Sequence, residues 1–178
     1  MTTRIEAIPG DIITIGTDAI VNAANSRLQM GGGVCGAIFR AAGHRRLQGA
    51  CDAIGSCRTG RAVATPAFDL ESCGVRHIIH AVGPIWNSSE AARCDELLVS
   101  AYRSALSLAE ELGARTIAIP AISTGIYGFP TPRAAALVAG LLTTESFDLD
   151  RIVLMTLEQD KAALYADALA DARGNGRG

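Results

Sequence analysis

Short runs of small and β-branched apolar residues alternate along this chain with longer stretches of helical period, and that alternation restricts it to a layered α/β fold. Runs at 3–8, 19–23, 61–65, 76–82, 116–119 and 152–157 read as strands, and helical patterns occupy 36–42, 90–112, 132–142 and 161–172. The longest helix is the clearest. Leu98, Ala101, Tyr102, Ala105, Leu108, Ala109 and Leu112 fall on one stripe, and Gly113 stands where a helix ends in a left-handed glycine. Gly43 stops the helix at 36–42 in the same manner. A chain of 178 residues, 49% of them hydrophobic, amounts to about one domain and can bury roughly 70% of its unfolded surface. No repeat or linker divides it, so one domain is expected over 1–172, with a frayed tail at 173–178.

Charge and cysteine content remove several classes of function. A net charge of −2 provides no global basic field for a nucleic-acid backbone. Lys161 is the only lysine, and the preference for Arg and Ala reads as genome composition. Arg, Asp, Glu or Gly interrupts every apolar run before the ~18 residues of a spanning helix. The opening Met1-Thr2-Thr3-Arg4-Ile5-Glu6 lacks the basic-then-apolar order of a signal peptide. Cys35, Cys51, Cys57, Cys73 and Cys94 are an odd number and form no CxxC, so a reducing cytoplasm is expected rather than a disulfide framework or a zinc ribbon. His77 and His80 lie three apart on one strand and point to opposite faces, so no metal is expected between them.

In an open α/β sheet the ligand crevice lies beyond the carboxyl ends of the strands, which directs attention to the loops after Ala23, Val82, Ile119 and Leu157. Two are unusual. The first carries Gly31-Gly32-Gly33-Val34-Cys35-Gly36 ahead of a helix, either a cradle of backbone N–H groups for a phosphate or a tight glycine turn without a ligand. Its G-x-G-x-x-G spelling is a weak dinucleotide signal, because about eight residues separate it from its strand and the next strand ends without a carboxylate. The second is Pro120-Ala121-Ile122-Ser123-Thr124-Gly125-Ile126-Tyr127-Gly128, with hydroxyls and free N–H groups for a second phosphate. Tyr127, set between glycines, is either an aromatic wall for a sugar or base or plain packing. Neither loop has the Lys of a Walker A motif, so triphosphate hydrolysis is a poor reading of them. Asp11, in Pro9-Gly10-Asp11-Ile12, is by itself a turn-capping residue or an acceptor for an exocyclic amine.

Taken in order, Gly10-Asp11-Ile12, the run from Asp18 through Asn22 to Asn25, Gly31-Gly32-Gly33-Val34, His80-Ala81-Val82-Gly83-Pro84 and Pro120 through Gly128 resemble a macrodomain. The likeness is to the MacroD type, which includes bacterial O-acetyl-ADP-ribose deacetylases, and it spans about 5–165. It implies a three-layer α/β/α fold with a central mixed, mostly parallel sheet and an ADP-ribose cleft. It further implies that Asp11 accepts from the adenine amino group beside Ile12, and that Asn25 holds the distal ribose. Gly32, Gly33 and Val34 would wrap the diphosphate from one side and Ser123, Thr124, Gly125 and Ile126 from the other, with Tyr127 facing the distal ribose. Asn22 is read as structural.

The resemblance also marks departures. MacroD-type hydrolases usually carry Asp at the position of Cys35 and His at that of Phe39, and many relatives stack an aromatic on adenine where this chain has Leu157. The expected function is that of a cytoplasmic, bacterial hydrolase removing ADP-ribosyl groups from acidic side chains or from O-acetyl-ADP-ribose. Asn25 and Tyr127 would set the ribose geometry, and Cys35 occupies the position of the missing acid. No cofactor is implied, ADP-ribose being ligand or product. The partners are mono-ADP-ribosylated proteins, with no membrane, and nucleic acid only as an ADP-ribosylated substrate. The alternative is a reader that binds ADP-ribose without turnover; a nicotinamide-dependent oxidoreductase is third.

Overall fold

The computed structural model of the chain describes residues 2–175. Strands β1 (Arg4–Pro9), β2 (Ala19–Ala23), β3 (Ala62–Pro66), β4 (His77–Ala81), β5 (Thr116–Ile119) and β6 (Arg151–Thr156) make one sheet in the order β1-β6-β5-β2-β4-β3. Every pairing is parallel except that of β3 with β4. Helices α1 (Gly33–Ala42) and α2 (His44–Ile54) cover one face, and α3 (Ala91–Glu111), α4 (Thr131–Thr144) and α5 (Gln159–Asn175) the other. This is the expected α/β/α sandwich with a mixed sheet. Among the described residues no helix is long and apolar enough to cross a membrane.

Strand alternation builds both cores at once. Val21, Ile79, Ile117, Ile119, Ile152 and Leu154 face α3, α4 and α5, while Ile20, Ile78, Ala118, Val153 and Met155 face α1 and α2. Both faces of the central strands are therefore apolar, as a sheet covered by helices on either side requires. Three differences from expectation have local causes. Helix α1 begins at Gly33, three residues early, because the last of the three glycines turns directly into the helix at φ +57°. Helix α2 was not anticipated; only Leu47 and Cys51, one turn apart, are buried on it. Helix α5 runs on to Asn175, where Arg173 donates to the Ile5 carbonyl of edge strand β1 at 2.7 Å, so 173–175 are not a frayed tail. Residues 176–178 of the expected tail lie outside the described residues.

Strands β2 and β5 are joined at one end only. Asp18, just before β2, accepts from the backbone N–H groups of Arg115 and Thr116 at 2.8 and 2.9 Å and from the Thr116 hydroxyl at 3.1 Å, while its own N–H donates to Thr116 Oγ1 at 2.8 Å. Burial opposes ionisation of this carboxyl, but those donors and Arg76 outweigh it and lower its pKa. Beyond that clamp the register covers just Ala19 with Ile117 and Ile20 with Ala118. The two strands then part, and their connections leave for opposite faces of the sheet.

A polar network lies buried beneath the sheet on the α1–α2 side. Asn22 Nδ2 donates to His80 Nδ1 at 3.0 Å, and His80 Nε2 meets Thr65 Oγ1 at 3.0 Å, with Cys51 Sγ at 3.8 Å. Between Asn22 and Thr65, His80 is held as a neutral ring with one nitrogen bonded to each. Burial pushes its pKa down to about 4 from an ordinary 6.5. A histidine depressed in the native state takes up its proton first in the unfolded chain, so its stabilising contribution is complete above pH 6.5 and is lost as pH falls toward 4. Denaturant titrations from pH 7 to 4 are expected to show a loss of a few kcal/mol. H80Q, which keeps polar contacts but does not titrate, should flatten that slope; an unchanged slope would remove His80 as its source.

Candidate functional site

Beyond the carboxyl ends of the parallel strands the sheet opens into a cleft of about 840 Å³, within the range of small-molecule sites. One wall descends from β2. Asn25 Nδ2 donates to the Gln29 carbonyl at 2.8 Å and its Oδ1 accepts from the Gln29 N–H at 3.1 Å, closing the loop on itself. Gln48 of α2 then grips the loop from behind, accepting from Met30 N at 3.0 Å and donating to Leu28 O at 3.2 Å. Cys35 Sγ accepts from Gly31 N at 3.3 Å, which folds the glycines against the start of α1. No side chain caps that helix. The first-turn N–H groups of Gly33, Val34 and Cys35 therefore have no intrahelical acceptor and face a cleft suited to an anion.

The opposite wall descends from β5 and is held by Tyr102, a fully buried residue of α3. Its hydroxyl donates to Pro120 O at 2.9 Å and accepts from Ile122 N at 3.1 Å. Burial raises this phenol to about 12, so it remains a neutral donor. Thr124 gives both its hydroxyl (2.8 Å) and its N–H (3.3 Å) to Ala121 O. Its side chain thus shapes the loop instead of reaching outward. Ser123 sits at φ +66°, and its buried hydroxyl has no partner among the described residues. Gly83, after β4, fits beneath this turn: a Cβ there would fall within contact of Ser123 Oγ and 2.5 Å from Ile122 Cγ2. Tyr127 is half-buried in the cleft lining, and its carbonyl accepts from Trp86 N at 2.8 Å.

The ends of the cleft differ chemically. At the β1–β6 end, Asp11 Oδ1 accepts from Ile13 N at 3.0 Å, so it caps its own turn while its other oxygen remains available at the cleft. Ile12 is buried beside it, Leu157 is 76% exposed, and Glu158 and Lys161 form an ion pair at 3.6 Å on the rim. At the other end stand Asn25 and Tyr127, with Ile126 94% exposed on the loop between them. Asp11, Ile12, Asn25, Gly32, Gly33, Val34, Cys35, Ser123, Thr124, Gly125, Ile126 and Tyr127, the whole set expected from sequence, line this one cleft. Asn22 does not; it serves His80 below. Phe39 is buried edge-on to His80, 6.3 Å between centroids, away from the cleft lining. Sequence reasoning did not single out Gly10, Gly83, Arg40, Met155, Glu158 and Lys161 as part of the lining. The isolated lysine was the one available signal. Among the described residues no three His, Cys, Asp or Glu side chains could hold a metal ion.

Comparison with known proteins gives a consistent account. The family model described as Macro domain matches residues 21–138. A macro domain-containing protein of Ralstonia nicotianae is 49% identical over 174 residues, covering 97% of this chain and 98% of that protein. A Salmonella typhimurium protein named O-acetyl-ADP-ribose deacetylase is 45% identical over 177 residues, covering 95% and 96%. Among solved structures, the Oceanobacillus iheyensis macrodomain with ADP superimposes with a TM-score of 0.85 at 35% identity, covering 93% of this chain and 90% of that one. The Trypanosoma brucei macrodomain in complex with ADP-ribose does so at 0.81 and 34%, covering 93% and 69%.

Tyr102 and Gly83 carry the β5 wall without lining much of it, which makes them direct tests of how the wall is held. Y102F strips the buried Pro120 carbonyl and Ile122 N–H of their shared partner and should cost about 1–3 kcal/mol. G83A should displace the Ser123 and Ile122 side chains that its methyl would overlap, disturbing the 122–124 turn. Melting curves with amide exchange across 120–128 would report both; wild-type protection of that segment in Y102F would refute the anchoring role.

Proposed function

The chain belongs to the macro domain family, and we propose that its cleft binds ADP-ribose and that the protein hydrolyses ADP-ribosyl linkages, both those to acidic protein side chains and those of O-acetyl-ADP-ribose. The observation that carries the reading is the pair of facing loops. Both line one cleft of about 840 Å³, the first with the unsatisfied N–H groups that begin α1, with the Asp11 carboxylate at one end and Asn25 and Tyr127 at the other. Adenine would lie between Ile12 and Leu157 with its amino group on Asp11. The diphosphate would rest between Gly32–Val34 and Ser123–Ile126, and the distal ribose against Asn25 and Tyr127.

For a glutamyl linkage the chemistry is one substitution. Water adds at C1″ of the distal ribose, the bond from C1″ to the side-chain oxygen breaks, and the carboxylate leaves as the water's second proton passes to solvent. Positive charge developing at the ribose is stabilised by the neighbouring diphosphate, and the loops contribute by fixing both. No side chain need act as general base, which is compatible with a thiol at Cys35 bound to Gly31 N. No cofactor or metal enters this scheme. The second reading is a non-catalytic reader, favoured by that same Cys35 in place of the usual carboxylate.

A mono-ADP-ribosylated protein carrying glutamyl linkages should lose its label to the wild-type chain, with free ADP-ribose appearing by chromatography. C35A should retain most of this rate. Tight ADP-ribose binding with no release by the wild type, together with activity gained by C35D, would establish the reader instead. Separately, D11N preserves the cap on Ile13 but turns a donor toward the adenine amine. Calorimetry should show about tenfold weaker ADP-ribose binding at an unchanged melting temperature of the free protein.

A further inference from the structure

A second polar groove lies outboard of the cleft, between the turn 58–61 and the first half of α3. Arg58, Arg61 and Arg93 line it, with Glu96, Leu97 and Ser100 along its floor and side. The turn is firmly built. Gly60 N donates to Val82 O at 2.7 Å, Val82 N to Arg61 O at 3.0 Å and Arg61 N to Arg58 O at 3.1 Å. Ser100 and Ser104 of α3 both donate to Gly60 O, at 2.7 and 3.1 Å. Gly60 itself stands at φ +84° with Leu97 Cδ2 3.1 Å from where a Cβ would be. Elsewhere on the surface arginines such as Arg103, Arg115 and Arg133 are matched with carboxylates. Arg58 and Arg61 form no ion pair among the described residues, and Arg93 has only the exposed Glu96 at 3.6 Å. In a chain of net charge −2, this rigid turn thus holds two exposed arginines without a carboxylate partner, three residues apart.

Its position gives the charge a use. Val82, bonded to this turn, is followed by Gly83 of the cleft lining. Along the sheet order, Asp11 follows β1 at one extreme, Asn25 follows β2 in the middle, and the arginine turn leads into β3 at the other. The antiparallel register sets Ala62 against Ala81, so this turn stands at the same strand ends as the cleft, on the side of Asn25 where the proposed distal ribose and its linkage to a target would lie. We propose that it receives carboxylate side chains flanking the modified residue of an ADP-ribosylated protein, so that acidic target segments are preferred substrates. This rests on the ADP-ribose reading of the cleft. Guanidinium groups pair carboxylates in bidentate fashion. A nucleic acid fits less well, since the groove lining has no aromatic side chain on which a base could stack and the molecule lacks a broad basic face.

The test compares two peptides carrying ADP-ribose on one residue through a non-hydrolysable linkage, one flanked by Asp and Glu and one by Gln and Ala. Wild type should bind the acidic peptide about fivefold to tenfold more tightly at low salt, with the difference shrinking as salt rises. The exposed pair R58A/R61A, and the charge reversal R58E/R61E, should abolish the preference while leaving affinity for free ADP-ribose unchanged. Equal affinity of wild type for both peptides, with ADP-ribose bound normally, overturns the groove proposal alone. So does a preference that survives both variants, or one found only for an ADP-ribosylated oligonucleotide. Failure of ADP-ribose itself to bind overturns the underlying reading and this one with it.

Discussion

The pairing of β2 with β5, tight at one end and absent at the other, is the constraint on which the site depends. Asp18 clamps the two strands where they enter the sheet, through two backbone N–H groups and a hydroxyl at 2.8–3.1 Å. Two residues later the ladder stops. From there β2 feeds α1 on one face and β5 feeds α4 on the other, so their loops must separate and leave a crevice between them. The cleft is thus a consequence of topology, and the charged clamp that stabilises the sheet stands at the opposite edge from it.

Two backbone loops form the facing walls of the cleft. The side chains that look functional are largely occupied in holding that backbone: Asn25 on Gln29, Cys35 on Gly31, Thr124 on Ala121, Tyr102 on Pro120 and Ile122. N–H groups fixed in this way carry partial positive charge at every pH and need little reorganisation around an anion. A site of this kind suits a diphosphate in a protein with net charge −2, because attraction is local and directional and does not depend on a basic surface.

All six strands and four of the five helices were legible because their burial follows simple periods. Alternation along β4 placed His77 and His80 on opposite faces, and His80 is indeed committed to Asn22 and Thr65 on its own. Helix α2 escaped notice because Leu47 and Cys51 are its only buried residues, with Gly49 between them and three exposed basic residues at its start. The antiparallel setting of β3 has no signature beyond Pro66 at its end, a residue suited to an edge. Tyr102 was visible only as part of an apolar stripe. Its hydroxyl acts on a loop eighteen residues away, and no spacing rule reports such a bond. The resemblance to a known family gathered residues from five separate segments, which local chemistry alone would have left as unconnected turns.

The central claim is that the two loops close on one ligand from opposite sides. Amide hydrogen exchange of the wild-type protein, with and without saturating ADP-ribose, tests it most directly. The account predicts new protection in both 31–35 and 122–127, with the opposite edge of the sheet around Asp18 unchanged. Protection confined to one loop, or exchange indifferent to ADP-ribose at both, would contradict it.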